Sequence, residues 1–179
     1  MSGDDFNQMV KVLDDTRQIV NALNLYGLAI DAHRYQLFDQ VFAQEIEANY
    51  NPPVFYKSRE EIKSHMEQFH APLDGSQHNI MNHQVIVNGD RANSISYVVV
   101  RLVKGKGYFQ MGCYYDDSWI RTPEGWRIKT RFCRGNFWEG NPGIGGEVAP
   151  GAVLEPLIHT LRHAGEAGEV SYLNALVRN

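Results

Sequence analysis

Four long segments rich in β-branched and aromatic residues, joined by short turns, constrain the fold more than any other feature of the chain. Asn88-Gly89-Asp90 is a strong hairpin signal, because Asn and Gly accept the positive φ angles that a tight turn between twisted strands requires. Lys104-Gly105-Lys106-Gly107 and Thr122-Pro123-Glu124-Gly125 punctuate the chain in the same way. Strands are therefore predicted at about 77–87, 92–103, 107–121 and 125–137, as an antiparallel meander.

Helices precede this meander. From Asp5 to about Ile30 the residues Val12, Ile19, Leu23, Tyr26 and Ile30 recur at helical steps, the stripe of a long amphipathic helix. A short helical piece follows at Tyr35, Phe38, Val41 and Phe42. A brief strand is predicted over Glu45–Tyr50, stopped by Asn51-Pro52-Pro53 because proline cannot donate to a ladder. Ser58 with Glu60 and Glu61 behind it opens another helix, which carries Ile62, Met66 and Phe69 on one side. After the strands, glycine and proline crowd residues 140–151, and Val153–Asn179 returns to helical spacing broken near Gly165 and Gly168. Asn141 to Gly146 reads as a flexible linker, since it lacks the lysine and preceding strand of a nucleotide site.

Helices first and a long meander afterwards define an α+β layer in which strand twist bends the sheet into a half-open cone. The chain divides into a cone domain, 1–137, and a tail, 138–179, expected to cover the pocket or a subunit interface. Its 179 residues suit one domain, and a net charge of -4 with mixed signs argues against nucleic acid as a partner. No apolar run reaches membrane-spanning length and no secretory pattern opens the sequence, so a cytoplasmic protein without membrane contact is expected. Cys113 and Cys133 are too few for a disulfide framework or a zinc site and read as reduced core residues.

The segments Tyr26-Gly-Leu-Ala-Ile-Asp31, Phe38-Asp-Gln-Val-Phe42, Tyr50, Gln77-His78, Asn88-Gly89-Asp90-Arg91-Ala92 and Gly125-Trp126-Arg127-Ile128 occur in an informative order. At these intervals the chain resembles the SnoaL-like branch of the nuclear transport factor 2-like superfamily, which includes scytalone dehydratase and bile acid 7α-dehydratase. The match spans about residues 10–137 and implies a cystatin-like cone, with the sheet wrapped around the N-terminal helices. It also implies that Asp31 and His78 point into the cavity as an aspartate–histidine pair, with Tyr26 and Tyr50 where such dehydratases place hydroxyl donors. Two departures stand out. A second cavity histidine of scytalone dehydratase falls near Lys104 here, and the extra aspartate of the bile acid enzyme falls near Val100.

Taken by themselves, the residues leave several alternatives. Asp31 interrupts the apolar run Leu28-Ala29-Ile30 and needs a partner, either in catalysis or as a helix-end aspartate bonded to a backbone amide or His33. On a regular strand only one of His78 and His83 faces inward; His78 is assigned there and His83 to the outer face or a subunit contact. Tyr26 and Asp31 stand about 140° apart around the helix, so they share a cavity only if it is wide. Arg131 and Arg134 lie on opposite faces of the last strand. Arg131 is the candidate for the substrate side, where it would orient an acidic group or neutralise Asp31 or Asp117. Parity does not decide whether Tyr115, Asp117 and Trp119 or their alternates Tyr114, Asp116 and Ser118 line the interior. His65, His70, His159 and His163 read as surface or interface residues.

The expected chemistry is a cofactor-independent lyase of dehydratase type, or an isomerase. Its substrate is a small apolar molecule, whether cyclic, aromatic or of steroid or polyketide type. His78, oriented by Asp31, would remove a proton next to a carbonyl, and an imidazole with an unperturbed pKa of about 6.5 serves as base and then acid. Carbon–carbon cleavage releasing a small aldehyde from an aromatic compound, or a non-catalytic role as a small-ligand-binding or association module, are the alternatives. No metal or other cofactor is expected, and pairing through the outer face of the sheet would give a homodimer or homotrimer.

Overall fold

A computed structural model describes residues 3–50, 54–145 and 157–177. Helix α1 (Gly3–Asp31) buries Ile19, Leu23, Tyr26 and Ile30, whereas Val12 and the rest of its first three turns stand exposed. Contact with the sheet begins at Asp15. This buried carboxylate accepts two bonds from Arg121 (2.7 and 2.6 Å) and one from the indole of Trp126 (3.0 Å), while the Arg121 guanidinium lies 4.4 Å over the Trp126 ring. A charge held by one bidentate arginine pair and an indole N–H tolerates burial, and here it clips the helix to the sheet.

A 3-10 turn (Tyr35–Gln40) leads into β1 (Phe42–Tyr50), which starts earlier than its predicted boundary. Strand β2 (Phe55–Ser58) was not legible in the sequence. Ser58 caps α2 (Arg59–His70), its hydroxyl accepting from Glu61 N at 3.2 Å while Glu61 reaches back to accept from Lys57 N at 2.7 Å.

The expected meander is present as β3 (Gly75–Asn88), β4 (Arg91–Lys104), β5 (Gly107–Thr122) and β6 (Gly125–Gly140). The six strands form one curved sheet in the order β2-β1-β6-β5-β4-β3, with β1 running parallel to β6. Its concave face holds the main core against α1 and α2, which is the α+β cone the sequence implied. Tyr115, Asp117 and Trp119 are the interior set of β5.

One irregularity changes the reading of β3. Pairing to β4 passes from Met81↔Tyr97 to Gln84↔Ile95, and Asn82 adopts φ +55, so a bulge inserts one residue. Side chains that alternate away from the core before the bulge alternate toward it afterwards. His78 and Ile80 face α1 before it; His83, Val85 and Val87 do so after it. His83 is thus not on the outer face: its ring lies 3.2 Å from Asn24 Oδ1 of α1 and 2.9 Å from Ser96 Oγ.

The tail runs two ways. Residues 141–145, read as a plain linker, instead bury Ile144 in the main core and bring Gly145 against Phe69. Residues 157–177, with α3 (Leu161–Glu166) and α4 (Ser171–Leu176), lie on the outer face of the chain's own sheet. There Ala164, Val170 and Tyr172 pack on Ile95 and Tyr114, and Asp116 accepts from Ser171 N (2.7 Å) and Tyr172 N (3.1 Å). Part of the face expected to pair with a second copy is therefore occupied, while Tyr97, Phe132 and Phe137 remain exposed. Of the tail 138–179 expected to cover the pocket or an interface, residues 146–156 lie outside the described residues. No helix among the described residues is long and apolar enough to cross a membrane.

Candidate active site

Asp31 ends α1 and His78 stands near the start of β3. They meet because Gly27 lets the two backbones approach: a Cβ at Gly27 would lie 3.1 Å from the His78 carbonyl oxygen and 3.2 Å from its Cβ. One helical turn later Asp31 accepts three groups, the Ser76 hydroxyl (2.7 Å), the His78 backbone N–H (2.8 Å) and His78 Nδ1 (2.7 Å). The two readings of Asp31 thus coincide in one arrangement, since it holds both a backbone amide and an imidazole.

An ionised carboxylate only accepts, so the proton sits on Nδ1 and the lone pair of neutral His78 on Nε2. Burial pulls the Asp31 carboxyl upward, yet the hydrogen bond from His78, the charge that ring carries whenever it is protonated, the Ser76 hydroxyl and the His78 amide together hold it below the usual carboxylate value. Asp31 therefore stays ionised. The His78 and Asp31 side chains are only 8% and 22% exposed.

His78 forms part of the wall of a mainly apolar cavity of about 170 Å3 between α1, α2 and the sheet. Tyr26 of α1, Tyr50 of β1 and Tyr115 of β5 face it, as do Val100, Leu102, Phe109 and Met111. The Tyr26 and Tyr50 hydroxyls are 2.9 Å apart. Burial pushes both phenols well above their ordinary pKa, so they remain neutral donors. Despite its angular distance from Asp31, Tyr26 shares a cavity with His78.

Arg131 is fully buried and stands behind this wall rather than in it. It makes a bidentate pair with Asp117 (2.7 and 2.8 Å), donates to the Tyr50 hydroxyl (3.3 Å), and lies over the rings of Tyr115 (4.1 Å) and Tyr26 (4.5 Å). Of the roles open to it, neutralising Asp117 is the one this geometry fills. Any effect on a substrate passes through Tyr50.

Sequence reasoning missed a second polar group of wall residues. His65 and His70, read as surface or interface residues, both line the cavity from α2, and His70 is only 2% exposed. Their signal was the stripe Ile62, Met66 and Phe69, whose helical neighbours are positions 65 and 70. Tyr56 of the unpredicted β2 also faces inward. The cysteines are buried and unbridged, and they too belong to the wall. Among the described residues no three of His, Cys, Asp and Glu gather as a metal site.

Comparison with known proteins agrees with this architecture. Residues 11–132 match the model of the SnoaL-like domain. Rv2910c of Mycobacterium tuberculosis H37Rv, itself uncharacterised, is 31% identical over 126 residues, covering 68% of this chain and 86% of the relative. A provisionally named scytalone dehydratase from Novosphingobium aromaticivorans DSM 12444 superposes with a TM-score of 0.68 at 20% identity, over 73% of this chain and 90% of its own. Hexachlorocyclohexane dehydrochlorinase of Novosphingobium barchaimii LL02 does so with a TM-score of 0.61 at 16% identity, over 82% and 99%. By its sequence the chain belongs to the SnoaL-like family, and its cone-shaped sheet has the cystatin-like fold of solved relatives.

Proposed function

We propose that this protein is a lyase that needs no cofactor and removes a small leaving group from an apolar cyclic substrate, with Asp31 and His78 as its acid–base pair. The observation that carries the reading is the 2.7 Å contact between His78 Nδ1 and Asp31, which leaves the other imidazole nitrogen at a cavity wall without a partner among the described residues. In this mechanism Nε2 takes a proton from the carbon next to a carbonyl, and the Asp31 carboxylate stabilises the imidazolium that forms. One of the two phenols, Tyr26 or Tyr50, donates its hydrogen bond to the other, the proton left free points to the carbonyl oxygen as charge builds, and Arg131 keeps Tyr50 in place from behind. The imidazolium then returns the proton to the departing hydroxyl, which leaves as water. Without a leaving group the same steps give isomerisation.

Support comes from two solved neighbours named for eliminations, a dehydratase and a dehydrochlorinase. A buried, ionised Asp31 is also an expensive group for a cavity that only stores an apolar ligand. The test is incubation with a panel of cyclic β-hydroxyketones in D2O, followed by NMR. Loss of water to give the enone, with deuterium only at the α-carbon of recovered substrate, both abolished in Asp31→Asn and His78→Ala, is the expected result. Release of an aldehyde instead would reassign the reaction to carbon–carbon cleavage, and recovery of every compound unchanged and undeuterated would reject catalysis on this class.

A further inference from the structure

Tyr56 carries a hydroxyl in the cavity wall that is fully buried and has no hydrogen-bond partner among the described residues. The Tyr50 hydroxyl is satisfied by Tyr26 and Arg131, and Tyr35, which shares the lack of a partner, does not line the cavity. Native interiors seldom leave a buried hydroxyl unmade, so an orphan at a cavity wall points to a partner that arrives with the ligand.

His70 defines a second point. Its Nδ1 lies 2.8 Å from the Met66 carbonyl, which can only accept, so the proton is on Nδ1. Burial lowers its pKa to about 4, and the ring is neutral at physiological pH. Nε2 is therefore an acceptor only. Whatever ligand group faces it must donate; a carbonyl, ether or halogen there would set lone pair against lone pair. The ring centroid stands 5.7 Å from that of His78, beside the proposed base.

Aromatic rings join these two points. Centroids step from Tyr56 to His65 at 5.3 Å with planes 59° apart, from His65 to Phe69 at 6.1 Å with planes 10° apart, and from Phe69 to His70 at 5.2 Å with planes 78° apart. Edges and faces together make this wall apolar and aromatic, which suits a ring. The cavity volume of about 170 Å3 is close to the roughly 150 Å3 of an apolar cavity that takes up benzene.

We infer that the cavity selects a single hydroxylated six-membered ring, whose hydroxyl donates to His70 Nε2 and whose second oxygen accepts from Tyr56. This narrows the substrate class of the proposed lyase, and rests on that reading only for the chemistry; recognition does not involve Asp31. Loss of water from a hydroxycyclohexenone yields a phenol, so simple phenols are suitable probes of the product side.

The test is calorimetric binding to the full chain at pH 7. Phenol is compared with anisole and toluene, the hydroxybenzaldehyde isomers with the matching cresols, and phenol with 1-naphthol. Phenol should bind about tenfold tighter than anisole or toluene, with the advantage lost in His70→Phe. At least one hydroxybenzaldehyde should gain over its cresol by a margin that Tyr56→Phe removes. Equal binding of phenol, anisole and toluene to the unaltered protein would overturn the inference without recourse to any variant. So would tighter binding of 1-naphthol than of phenol, or preferences that survive both substitutions. Asp31→Asn separates the two readings: retained phenol preference without turnover supports both, whereas preserved turnover sinks the acid–base assignment and leaves the recognition intact.

Discussion

Gly27 and Asp31, one turn apart on α1, act together: the first brings the helix within contact distance of the His78 backbone, and the second then bonds both the amide and the ring of that residue. A side chain at position 27 would meet backbone oxygen, which cannot swing aside. Gly27→Val is therefore expected to push α1 off β3 and lower turnover about 10- to 100-fold, while circular dichroism stays native. Turnover and far-UV spectra of the variant check this.

The buried pair Arg131–Asp117 gives a second prediction. Both side chains are 0% exposed, so removing one partner strands a charge. Arg131→Met should lose about 3–5 kcal/mol in urea unfolding, and Arg131→Met with Asp117→Leu should recover a large part of it. Equal losses in the single and double variants would contradict this account of the pair.

His70 makes stability depend on pH. Its folded pKa, about 4, lies below the unfolded value near 6.5, so between these values the unfolded chain binds the extra proton. Stability from this group is full above pH 6.5 and falls as the pH drops toward 4, by about 1.4 kcal/mol per unit. Unfolding free energies from urea titrations at pH 7 and pH 5 should therefore differ, by about 2 kcal/mol for His70 alone, and His70→Phe should remove that share.

Asp116 ties the tail to the outer face through two backbone amides at the start of α4. Asp116→Ala leaves both donors unmet, at about 1–3 kcal/mol. Amide exchange over 157–177 should speed up about 10- to 100-fold, with the cavity unaffected. Unchanged exchange would show that the apolar contacts of Val170 and Tyr172 hold the tail by themselves.

How much of this was legible beforehand follows from the kind of signal each part leaves. Turn residues such as Asn88-Gly89 have no good alternative conformation, so β3 to β6 could be drawn from the sequence within a few residues. Strand β2 spans only Phe55–Ser58, between a proline pair and a helix cap, and leaves no alternation to detect. The bulge at Asn82 turns on a single left-handed residue, which is why strict alternation sent His83 to the wrong face. Asp31 and His78 are 47 positions apart, and nothing local announces their contact; the family resemblance supplied it. His65, His70 and Tyr56 were missed because a histidine beside an apolar stripe looks alike in either orientation.

The most direct measurement of the central claim is long-range 1H–15N NMR of the His78 imidazole at pH 8, in the unaltered protein and in Asp31→Asn. The account predicts a neutral ring protonated on Nδ1 with a bare Nε2, and a loss of that single tautomer when the carboxylate is removed. A ring protonated on Nε2, or a tautomer indifferent to Asp31, would contradict it.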